Sequence, residues 1–363
     1  MPAEIETTAF AGAVPWHGLG ESVSGDLTPK EMLKAAKLNW TVSKRPMFTP
    51  SITGYSIDQY ADSGANASDI DKMLVEDYFA LVRDSDNKIL GPCGKEYIPT
   101  QNSQAMDFFK KFTDAGRMKL ETAGSLQGGK QVWCLANIGQ GFELAGGDKV
   151  DGYLLLSSPH IWGKSLVIKF TPIRVVCMNT LVMALKSQGK YSFRMPHIRE
   201  FDATVAKEAE AALGIAQELL DGFKKASKKL ASTKVSDDVA VRYIAELFQD
   251  DLILEAFGKN FYKSSEQDQV KSLVDASAPN INASEFKTTA NNVLSCVNSQ
   301  PGADMKSAKG TLWGAFNAVT YFIDHKSGRD RDNAVYSAWF GPKGATKQYA
   351  FERATQYANA ISG

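Results

Sequence analysis

Residues 152–199 contain no Asp or Glu, yet they carry Lys164, Lys169, Arg174, Lys186, Lys190, Arg194 and Arg199, with His160 and His197 among them. Over the whole chain 41 basic and 41 acidic residues cancel, so this stretch is a segregated block of positive charge. Cations gathered in this way suit phosphate, because each Lys or Arg that meets a phosphate releases condensed counterions. Trp162, Phe170, Tyr191 and Phe193 are interleaved with the charge. Aromatic rings beside cations suit single strands, whose exposed bases stack for about 1–3 kcal/mol each. The residues expected to contact nucleic acid are Lys130, His160, Trp162, Lys164, Lys169, Arg174, Asn179, Lys190, Tyr191, Arg194 and Arg199. The competing expectation is a solvated charged face, its cations balanced by acids from elsewhere, with Asp58, Asp62, Asp69, Asp71, Glu76 and Asp77 the obvious source.

The same block argues against chemistry on it. A phosphodiester nuclease needs carboxylates to hold Mg²⁺, and the block has none. Gly124-Ser125-Leu126-Gln127-Gly128-Gly129-Lys130 superficially resembles a phosphate loop, but Gln131 stands where Ser or Thr is required, and a hairpin turn fits better. Neither the four histidines nor the four cysteines form pairs with metal-ligand spacing, and no nucleophile elbow occurs. The expectation is a binding protein, not an enzyme, with no cofactor and no metal. An enzyme whose site is assembled from distant residues such as His160, Asn179 and Asp324 ranks last.

The elements that must position these residues follow from period and punctuation. Phe79–Arg83 and Lys88–Leu90 flank turn residues Asp84–Asn87, a β-hairpin. A helix is expected from Asn102, with Ala105, Phe108, Phe109 and Phe112 on one stripe. Lys119–Ala123 and Gln131–Ile138 form a second hairpin, and Tyr153–Ser157 with Leu166–Phe170 a third pair. Pro172, just after Thr171, predicts a helix start, running to about Ser187. The fold class expected is α+β: an antiparallel sheet with helices packed on one face, the other face open to a ligand, then a mostly helical C-terminal part. That part includes an amphipathic helix over 203–232 and another from cap residue Ser236 to Phe248. Residues 311–324 show two apolar or aromatic stripes, which predicts a helix buried on both sides or, alternatively, a contact surface. The organisation expected is an arm with a short helix (1–45), the α+β nucleic-acid-binding core (46–200) and a helical region (201–363), with a mobile acidic loop at 57–77.

The opening residues lack a signal-peptide pattern and no apolar run reaches membrane-spanning length. A soluble protein of the bacterial cytoplasm, without membrane contact, is expected.

Four stretches resemble a phage- and plasmid-like protein family built around a domain of unknown function. They are Pro15-Trp16-His17-Gly18-Leu19-Gly20, Tyr97-Ile98-Pro99-Thr100-Gln101-Asn102, Arg174-Val175-Val176-Cys177-Met178-Asn179-Thr180-Leu181 and Thr311-Leu312-Trp313-Gly314-Ala315-Phe316-Asn317-Ala318-Val319. The resemblance implies a mobile-element origin and supplies no activity. The order hairpin, helix, strands, helix is also similar to the core of phage single-strand-annealing recombinases of the Redβ, RecT and Erf type. That likeness implies rings or filaments that hold single-stranded DNA in a basic groove between sheet and helix, without ATP. Lys164, Lys169, Arg174, Arg194 and Arg199 would then line the groove, with Trp162 or Tyr191 against bases. The function expected is therefore an oligomeric protein that binds and anneals single-stranded DNA in recombination or replication. The alternative is a protein-binding module of a mobile element, such as an inhibitor of host defence, using the acidic loop and the 311–321 helix.

Overall fold

The computed structural model describes residues 6–11, 20–23, 25–50, 72–174, 179–180, 192–213, 216–328, 337–339 and 341–362. Two sheets carry its N-terminal half. The strands are β1 (Thr7–Ala11), β2 (Glu21–Val23), β3 (Val42–Pro50), β4 (Lys72–Arg83), β5 (Lys88–Gly94), β6 (Lys119–Leu126), β7 (Gln131–Leu144), β8 (Asp148–Pro159), β9 (Ser165–Arg174), β10 (Asn179–Thr180) and β11 (Ser192–Pro196). The main sheet runs β10-β9-β8-β7-β6-β1-β2, with β11 also on β9, and β3-β4-β5 form a separate small sheet. Every pairing is antiparallel except β1 with β2.

The three expected strand pairs are all present. Gln127, Gly128 and Gly129 all take positive φ between β6 and β7, so the Gly-rich stretch is a tight hairpin turn. Helix α1 (Pro29–Ala35) starts at Thr28, whose hydroxyl accepts from the Glu31 amide while Glu31 accepts from the Thr28 amide, a reciprocal cap. The expected helix from Asn102 is broken into α2 (Asn102–Asp107) and α3 (Lys110–Asp114).

Two expectations fail here. Pro172 does not start a helix: β9 continues through it to Arg174, with Pro172 opposite Gly152 and Ile173 opposite both Asp151 and Thr180. Proline's fixed φ suits the first turn of a helix, but its missing N–H is equally tolerable in a strand where no partner strand needs that donor. Among the described residues Pro172 lies in such a gap, because β11 pairs with residues 165–169 and β10 with residues 173 and 174. Residues 72–77 of the expected acidic loop belong to β4 instead; the rest of that loop, with Trp16 and His17, lies outside the described residues.

The C-terminal half is helical: α4 (Ala203–Leu213), α5 (Ala216–Ser232), α6 (Asp237–Phe248), α7 (Asp250–Phe257), α8 (Glu266–Val274), α9 (Thr288–Ser299), α10 (Leu312–Tyr321), a π-helical turn (Phe322–Lys326) and α11 (Pro342–Ser362). Ser236 caps α6 as expected, accepting from the Val239 amide. These helices pack onto the sheet: Trp133 of β7 meets Trp339 edge-on at 5.1 Å, Phe142 meets Phe223 of α5, and Asp148 accepts from the Trp313 indole of α10. As a result β8 is buried at both parities from Gly152 to Pro159. The face expected to lie open to a ligand is covered there.

Candidate nucleic-acid interface

At that end, alternate residues of four strands point the same way. Gln131 lies opposite Pro159, Ser157 opposite Val167, and Arg194 of β11 opposite Val167 on the other side. Because side chains on one face recur every second residue and match across the ladder, Gln131, Ser157, Pro159, Ser165, Val167, Lys169 and Arg194 share one face. The start of α11 roofs that face. Between sheet and helix lies a polar pocket of about 310 Å³, bordered by Lys164, Lys169 and Arg194 and, from the roof, by Trp339, Gly341, Gly344 and Gln348. Among the described residues lining it there is no carboxylate.

The three cations differ in character. Lys164 and Arg194 are exposed, whereas Lys169 is partly buried and its Nζ donates to the Trp339 carbonyl at 2.6 Å. Burial, and then the charges of Lys347 and Arg194, pull the Lys169 ammonium down to about 7. An anion in the pocket would oppose that shift by favouring the protonated form. Gln131 donates from Nε2 to Ser157 Oγ at 2.6 Å, which fixes two polar side chains in the floor. The roof adds the N-terminal end of the 21-residue helix α11, where backbone dipoles favour negative charge.

Other expected contact residues lie elsewhere. His160 is wholly buried, with Nε2 at 3.0 Å from Asn102 Oδ1 and its ring tilted against Trp40 at 5.3 Å. It is a packing residue and is removed from the contact set. His197 is likewise buried, stacked on Tyr97 at 4.8 Å. Phe170 and Phe193, expected beside the charge, are core residues. Arg199 is exposed but paired with Glu208 of α4 at 2.5 Å, so its charge is neutralised as the competing expectation proposed. Lys130 is half-buried in the β6–β7 turn, and its carbonyl accepts from the His160 amide at 2.7 Å. Trp162 is 51% exposed on the loop between β8 and β9. Arg174 and Asn179 face each other across β9 and β10, but their side chains lie outside the described residues, as do Lys186, Lys190 and Tyr191.

Sequence reasoning missed Gln131, Ser157 and Gln348. The first two share the strand parity of Lys169, a signal that alternation carried; Gln348 arrives from far along the chain and had none. Two of the three residues of the ranked-last enzyme site are committed elsewhere, His160 to Asn102 and Asp324 to Lys347 at 2.7 Å, and the Asn179 side chain lies outside the described residues. The 311–321 helix is no contact surface either, since Leu312–Thr320 are all buried. Among the described residues no cluster of His, Cys, Asp and Glu has a metal-binding arrangement, and no helix is long and apolar enough to cross a membrane.

Residues 89–352 match a family model described as a domain of unknown function, DUF932. The chain belongs to this family. Comparison with curated proteins and with solved structures finds no match. The matched span includes β6–β11, the pocket and about half of α11, so the site lies within the family's shared region.

Proposed function

We propose that this DUF932 protein binds the phosphate backbone of single-stranded nucleic acid, DNA in the first instance, at the pocket between the main sheet and α11. The observation that carries the reading is the convergence of Lys164, Lys169 and Arg194, drawn from the acid-free stretch, on a pocket without a carboxylate among its described lining residues. The Ser157 hydroxyl and the Gln348 amide add polar groups to the lining that suit phosphate oxygens. The carboxylates that would position a catalytic metal are missing from the described lining residues, so the reading is binding without cleavage. Annealing of complementary strands, assembly of several copies along a strand, and service to a phage or plasmid extend the same proposal. Fluorescence anisotropy with a labelled single-stranded oligonucleotide tests it. Binding at low salt that weakens steeply as salt rises is expected; absence of binding at low salt would overturn it.

A second reading has its own observation. The small sheet carries an apolar groove of about 520 Å³, lined by Pro46, Met47, Phe48, Pro50, Ile89 and Pro92, with Phe48 57% and Ile89 66% exposed. Exposed apolar surface of this kind marks protein contact, and it replaces the 311–321 helix as the surface a protein-binding module would use. Co-purification of a partner protein free of nucleic acid supports this reading.

A further inference from the structure

Trp162 is positioned by a tight turn. The Lys164 amide donates to the Ile161 carbonyl at 3.2 Å, and Gly163 has φ +79° while Trp162 keeps a negative φ. Positive φ at the third position alone defines a type II turn, which places Gly where a side chain would be strained. The turn sets Trp162 two residues from Lys164 and holds both at the rim of the main sheet. Trp162 does not hang in solvent unsupported. Its indole lies against Gly94 of β5, where a Cβ would sit 3.6 Å from the ring. Gly94 pairs with Tyr78 of β4, and the Tyr78 ring meets Trp162 edge-on, with centroids 5.8 Å apart at 82°. Both rings stay near half exposed, at 45% and 51%. A glycine opposite Tyr78 leaves the indole room to lie down on the small sheet, with its other surface turned outward. Among the described tryptophans only Trp162 is exposed in this way; Trp40, Trp133, Trp313 and Trp339 are buried.

We infer that Trp162 and Tyr78 form a stacking platform for one unpaired base of a strand whose backbone is held at the neighbouring Lys164–Lys169–Arg194 pocket. The inference rests on the proposed function and adds what the pocket cannot supply, a means of telling unpaired bases from paired ones. A cationic pocket attracts any phosphate backbone, but a flat ring accepts a base only when that base is free to leave its own stack. Stacking tolerates any base, so the platform requires a base and is indifferent to which one. It also gives Tyr78 of the small sheet a role, since its edge fixes the tilt of the indole.

The main comparison varies the ligand on the wild-type protein, so it does not depend on the folding of a variant. Oligonucleotides of one length are compared as normal single strand, as single strand with abasic sites throughout, and as duplex, with tryptophan emission and anisotropy read together. The expected result is quenching by the normal strand that is absent in Trp162→Phe protein, and affinity about tenfold lower for the abasic strand. Equal affinity for normal, abasic and duplex ligands, with no quenching, overturns the platform while leaving the phosphate pocket intact. Failure of the pocket itself reads differently, as no binding of any of the three ligands. Tyr78→Ala is expected to weaken the normal strand and leave the abasic one unchanged. Equal weakening of both overturns the role of Tyr78.

Discussion

His160 and His197 stand at the centre of the packing that holds the β8–β9 loop. Burial pushes His160 down to about 3 and His197 to about 4, with the charge of His197 adding to the effect on His160. An unfolded histidine takes up a proton near 6.5. Between about 6.5 and 4 the unfolded chain therefore binds more protons than the folded one, and stability falls as pH falls through that window. Urea melts are expected to lose up to about 1.4 kcal/mol per pH unit for each histidine below pH 6.5, and the slope should flatten in a His160→Gln protein. A stability constant from pH 7 to pH 4.5 would contradict the burial of both rings. Lys169 has the opposite consequence for binding. Held near 7 by burial, it must be protonated to meet phosphate, so affinity for an oligonucleotide is expected to fall as pH rises from 7 to 9. The decline should reach at most about tenfold per unit and disappear in Lys169→Met. A pH-independent affinity across that range would remove Lys169 from the contact set.

Among the elements, α10 packs against α11, whose start roofs the pocket. Gly314 in the first turn of α10 lies so close to the Ala308 carbonyl that a Cβ there would clash with its oxygen. Gly314→Ala is therefore expected to cost about 1–3 kcal/mol in a denaturant melt; an unchanged midpoint would contradict the close approach. Asp324 from the π-helical turn and Lys347 of α11 form an ion pair whose side chains are almost wholly buried. Asp324→Ala leaves the Lys347 charge without its carboxylate, at a cost of about 3–5 kcal/mol. Much of this architecture was legible beforehand. The hairpins followed from alternation, the α6 start from Ser236, and the two-sided burial of α10 from its paired stripes. The misreadings have physical causes. Pro172 satisfies a helix start and a strand gap equally well, because neither place uses its absent donor. His160 shares a loop with Trp162, yet one is buried and the other exposed, a distinction set by Asn102 and Trp40 reaching in from other elements. The pairing of Arg199 with Glu208 needed only the next helix, but charge counting over 152–199 stopped short of it.

At the scale of the whole molecule, net charge conceals what the fold does with it. Acids and bases are equal in number, but the end of the main sheet gathers Lys164, Lys169 and Arg194 under α11 with no carboxylate among the described lining residues. β8 is buried at both parities from Gly152 to Pro159, which removes it as a broad open binding surface, and the polar pocket lies at the end of the main sheet beside β9 and β11. Neighbouring Trp162 and Tyr78 then bridge the main and small sheets at the same rim. The most direct test is the salt dependence of single-stranded DNA binding in wild-type protein and in the Lys164→Ala, Arg194→Ala double variant. Both positions are exposed, so the variant is expected to keep the wild-type melting curve. If these two cations each neutralise a phosphate, the slope of log affinity against log salt falls by about 1.4 in the variant. An identical slope in both proteins would show that the strand, if bound at all, is held somewhere else.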